Sequence, residues 1–140
     1  MPEFTDTAHA AHFDVASLHL VKPEIDLSLA QVESVLSVFV DADQKPSGLA
    51  DAAETMVQIH GILRLLNLFG ASELSGAMAH SMKDIAAHPS NIREERLAAI
   101  GEGLMVLHRY LEFVLLRETL LPHLLLPITN TLNQMSGLPL

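Results

Sequence analysis

With 140 residues, 49% of them hydrophobic, the chain can bury one core and is too short for two. Acidic side chains outnumber basic ones 17 to 8, a formal charge of −9, and Lys and Arg nowhere cluster; nucleic acid and anionic membrane both need a concentrated positive footprint, so a basic protein surface is the better match. The absence of cysteine excludes a disulfide framework and a thiolate metal site, and agrees with a reducing, cytoplasmic setting.

The opening stretch, MPEFTDTAHAAHFD, has neither the basic nor the apolar region of a signal peptide, and residues 1–13 read as a flexible tail ahead of one domain over 14–140. Pro23 suits a first helical turn, with Glu24 and Asp26 beside the positive end of the dipole, so a helix is predicted to start there. Its apolar stripe is Ile25, Leu29, Val32, Leu36 and Phe39. After the break DADQKPSG, Ser47 is placed to cap a second helix reaching Phe69, with Gly70 as a positive-φ C-cap. Ser72 is the candidate cap of a third helix carrying Leu74, Met78, Met82 and Ile85 and stopping near His88 and Pro89. Ser90 opens a fourth, striped by Leu97, Ile100, Leu104, Leu107, Leu111 and Val114. Pro122 and Pro127 cut the remainder into short pieces, and no uninterrupted apolar run approaches the ~18 residues a spanning helix needs. The expectation is an all-α protein: an up-down-up-down four-helix bundle with short extra helical segments at the termini.

Turned on its axis, the second helix has Ala52, Met56, Ile59, Leu63 and Leu66 on a core side, and Glu54, Val57, Gly61, Arg64 and Leu68 on the other. Gly61 is a poor helix former, costing about 1 kcal/mol relative to Ala. Either it packs inside the bundle, or a second molecule approaches the backbone there.

The stretch VQIHGILRLLNLFGA resembles the signature of histidine phosphotransfer domains. These are four-helix bundles of about this size, with a phosphorylated His, then Lys or Arg three residues on, then Gly at the fourth position, and often a closing glycine about nine residues later. It is closer still to the N-terminal modules of the large hybrid chemotaxis kinases of type IV pilus twitching motility, and to a kinase-less scaffold related to them. The similarity runs from Leu18 to the end, where LLLPITNTLNQMSGLPL resembles the closing segment of the same module. It implies a binding role in a pilus-linked chemosensory pathway, with a response-regulator receiver domain or a polar pilus-assembly protein as partner.

The departures bear on chemistry. The phosphoacceptor position holds Val57, which can neither accept nor pass on a phosphoryl group. His60 stands where the family has Lys or Arg, about 60° further round the helix, off the in-line geometry that transfer requires. The partner-binding candidates are therefore Glu54, Val57, Gln58, His60, Gly61, Arg64 and Leu68, with His60 expected to be a semi-exposed flank. His80, Asp84 and His88 share a face, but the outer pair is about 12 Å apart along the helix, too far to share one ion easily. His108 looks isolated. With no thiol nucleophile, phosphate loop or GxSxG elbow, no catalytic residue, metal or cofactor is assigned. Three readings remain: a non-catalytic adaptor lacking its phosphoacceptor, a phosphotransfer protein using His60 or another histidine, and a structural N-terminal module of a longer chain.

Overall fold

Apolar residues recurring every three or four positions have one physical outlet, a helix with one face buried. The computed structural model describes residues 15–41, 46–88, 94–117 and 122–137, and among them there is no strand. Helix α1 spans Val15–Asp41, α2 Pro46–Leu65, α3 Phe69–Ala87 and α4 Glu94–Arg117; a 3-10 turn, Pro122–Leu125, leads into α5, Leu126–Met135. The described residues are all-α. The expected tail, the start of the fourth helix at Ser90 and the side chain of Phe39 lie outside the described residues.

The stripes point inward. Ile25, Leu29, Val32 and Leu36 of α1, Met56, Ile59 and Leu63 of α2, Leu74, Met78, Met82 and Ile85 of α3, and all six stripe residues of α4 are buried. Each such side chain contributes roughly 1.5 to 3 kcal/mol by leaving water. Helix α2 packs most extensively on α3 and also against α1; α3 contacts α4 and α5, α1 closes onto α4, and α5 rests on both α3 and α4. Buried Arg96 pins three of these elements. It donates from Nη1 to Asp84 Oδ2 at 2.8 Å and from Nη2 to the hydroxyls of Ser81 and Ser136, each at 3.3 Å.

Four boundaries differ from the sequence reading. Pro23 lies inside α1, not at its start. The stripe continues back through position 22 to Leu18, but position 22 is Lys22, 6% exposed, whose ammonium reaches out to Asp26 at 2.9 Å and Glu112 at 3.2 Å. A charge in the stripe beside a proline imitates a helix start. The Pro23 ring is exposed, and burial of Leu18 and Ile25 on either side of it offsets the lost backbone hydrogen bond. Pro46 precedes Ser47 as the first residue of α2, so Ser47 is not its cap.

The remaining two concern the α2–α3 turn. Helix α2 ends at Leu65, and Asn67, not Gly70, takes the left-handed conformation, with φ 64°. Leu68 N–H donates to Leu63 O at 2.9 Å and Asn67 N–H to Arg64 O at 3.0 Å, the paired bonds of a Schellman turn. Asparagine is the side chain after glycine that best tolerates this geometry, so the chain reverses three residues earlier than a glycine-based reading expects. Gly70 falls in the first turn of α3, and Ser72 is inside the helix, whose N-cap is Leu68 with no side-chain cap bond.

Candidate docking face on the second helix

Because α2 buries one side against α1 and α3, its opposite side faces out, and this is where the Gly61 signature lies. Val57 is 36% exposed, and Glu54, Gln58 and Arg64 are exposed. Gly61 is half-buried, yet a Cβ built on it would meet nothing within 4 Å among the described residues. Internal packing of those residues therefore does not require glycine here. Around it an open groove of about 940 Å³ continues past the end of the helix, lined by Gly61, Ile62, Arg64, Leu65, Asn67 and Phe69. Leu65 is 84% exposed and Phe69 44%. The sequence reading does not name Leu65 and takes Phe69 as the end of the second helix, so it offers neither as surface. Arg64 has no ion-pair partner among the described residues, while Glu54 pairs with Lys83 of α3 at 3.5 Å.

Two predicted members of the face stand elsewhere. Leu68 is 1% exposed: as the residue after the left-handed Asn67 it folds back into the core with Leu63 and offers no outer surface. His60 is half-buried and faces α3 rather than flanking the outer surface. Its Nδ1 lies 2.6 Å from the Ser72 carbonyl oxygen and 3.0 Å from Ser72 Oγ. A carbonyl only accepts, so Nδ1 carries a proton, and the ring is tied across the α2–α3 interface. Ser72 Oγ in turn donates to His60 O at 3.2 Å. The same ring explains Gly76, where an added Cβ would come within 3.1 Å of His60 Nδ1. A polar clasp of this kind leaves no apolar periodicity to read.

The other histidines are placed differently from one another. His88 Nδ1 is 3.5 Å from Asp84 Oδ1, but Asp84 is already engaged by Arg96. That hydrogen bond, with the charges of Arg96, His88 and His80, outweighs partial burial and holds the Asp84 carboxyl below its ordinary value. His108 is not isolated: Nε2 is 3.7 Å from Asp26 and 3.5 Å from Glu112, and the three groups offer ligand-type atoms within 4.8 Å of one another. The Lys22 ammonium lies within 3.2 Å of both carboxylates, so the place a metal ion would take is already served by a cation of the chain itself.

What these residues define is a helical module with an exposed, partly apolar face around a vacant glycine. No helix among the described residues is long and apolar enough to cross a membrane. The chain has a characterised relative. Over 123 residues, 88% of its length, it is 38% identical to scaffold protein FimL of Pseudomonas aeruginosa. It covers 22% of FimL, about a fifth of that protein. No family model matches the sequence. No solved structure matches it.

Proposed function

We propose that the chain is a non-catalytic adaptor, a scaffold-like module of a pilus-linked chemosensory pathway, built as an up-down-up-down four-helix bundle that keeps the phosphotransfer shape and has lost its chemistry. The observation that carries this is the pairing of Val57 with Gly61. An inert, exposed aliphatic group occupies the phosphoacceptor position, and one turn later the backbone is left open to an approaching molecule. Similarity to a scaffold protein supports a binding role over an enzymatic one. The bundle reading is supported by the packing order, in which each long helix contacts its neighbours in sequence and α1 returns to α4. The pathway and the partner class, a receiver domain or a polar pilus-assembly protein, rest on the resemblance of the Gly61 stretch, and the cytoplasmic setting on the absence of cysteine.

The phosphotransfer alternative through His60 meets an obstacle, because the ring is half-buried and held against α3 by its bond to Ser72 rather than presented on the outer face. The module alternative draws support from the coverage, since most of FimL's length has no counterpart in these residues. It is compatible with the adaptor reading. Binding of purified receiver domains to wild-type and Gly61→Leu protein tests the proposal: the variant should remain folded and lose affinity. Unchanged affinity, or a stoichiometric phosphohistidine on the wild-type chain, would exclude it.

A further inference from the structure

Glycine is a poorer helix former than alanine, so a helical glycine asks what needs the space. Two in this chain are answered by neighbours: a Cβ at Gly76 would crowd the His60 ring, and one at Gly103 would stand 2.7 Å from Met78 Sδ. Gly61 and Gly101 are not, since a Cβ on either would meet nothing within 4 Å among the described residues. Gly61 belongs to the α2 face. Gly101 opens onto a separate groove of about 630 Å³ between α1 and α4.

The floor of that groove is apolar, made by the buried Leu29, Leu36 and Leu104, and its walls are short, with Ala30, Ala98 and Gly101 beside Met105, which is 48% exposed. Its rim is acidic. Glu33 on α1 and Glu102 on α4 are both exposed and have no ion pair among the described residues. Asp26 and His108 close one end, where Asp26 is neutralised by Lys22. No Lys or Arg lines the groove.

We propose that this groove is a second protein-binding surface, and that its occupant is a basic amphipathic helix of another protein. The short Ala30, Ala98 and Gly101 walls let a helix backbone come close to the leucine floor, Met105 supplies an adaptable apolar contact, and two unpaired carboxylates on opposite rims select Lys or Arg on the flanks of the incoming helix. A second copy of this chain does not fit. It carries −9 against −9, and its eight Lys and Arg are scattered singly, with Lys22 and Arg96 buried. The carboxylate rim likewise repels an anionic membrane surface. The proposal concerns a different face from Gly61 and stands independently of it.

The probe is a fluorescein-labelled synthetic helix of roughly 18 residues, built from Leu and Ala on one side and Lys on the other, with a Glu-for-Lys version as control. Anisotropy titrations compare wild type, Gly101→Leu, the Glu33→Lys/Glu102→Lys pair and Gly61→Leu, each checked for helicity. The basic peptide should bind wild type and Gly61→Leu alike, weaken with added salt, and bind at least about tenfold more weakly to both the Gly101→Leu and the charge-reversed proteins. The acidic peptide should not bind. Should Gly101→Leu fail to fold, the charge-reversed pair, which alters only exposed side chains, carries the test. Equal binding by wild type and the charge-reversed pair, equal binding of the acidic peptide, or a wild-type dimer in sedimentation that the charge-reversed pair abolishes would overturn the proposal.

Discussion

Replacing Gly61 by Ala should raise thermal stability by up to about 1 kcal/mol, because the added methyl meets no neighbour while the helix loses its poorest former. Gly61→Leu should also melt no lower than wild type, since the longer side chain projects into the open groove. Had Gly61 served packing, Leu would overpack the contact at a cost of about 1 to 3 kcal/mol. A marked drop in melting temperature for both variants would remove the docking role. The sequence placed Gly61, Val57 and Arg64 on the outer side by angle alone. It could not place His60 or Leu68. The first is turned inward by a hydrogen bond to Ser72, the second by the left-handed Asn67, and neither leaves a periodic trace.

At the scale of elements, the core stripes were legible because each is a run of aliphatic residues at helical spacing. The boundaries were not, because they depend on particular side chains. Lys22 hides about the first two turns of α1 by putting an ammonium in the stripe, and its long stem still buries. The α2–α3 turn was hidden by a strong glycine signal at Gly70 that outranked the asparagine actually used. Asn67→Ala is therefore predicted to destabilise the protein by about 1 kcal/mol, through the left-handed backbone that alanine resists, whereas Asn67→Gly should be neutral or slightly stabilising. Paired chemical denaturation curves check this. Equal midpoints for the two variants would show that the turn does not constrain position 67.

For the molecule as a whole, the Asp84–Arg96 contact joins α3 to α4, and Arg96 goes on to Ser136 beyond α5. The folded state holds the Asp84 carboxyl below its ordinary 3.8, first through the Arg96 hydrogen bond. A depressed folded value means that the contribution is complete above that ordinary value and disappears as pH falls through the folded one. Asp84→Asn should accordingly melt below wild type near neutral pH, with the gap closing in acid. A gap independent of pH would assign the loss to packing instead. The central claim, a binding module without phosphotransfer chemistry, is tested most directly by calorimetric titration of wild-type and Gly61→Leu protein with a receiver domain, the partner class proposed above. The account predicts saturable binding by wild type, a loss of about tenfold or more in affinity with unchanged melting for Gly61→Leu, and no heat of phosphoryl transfer when the receiver is phosphorylated. Equal affinity for the two proteins, or phosphoryl transfer to any histidine of the wild-type chain, would contradict it.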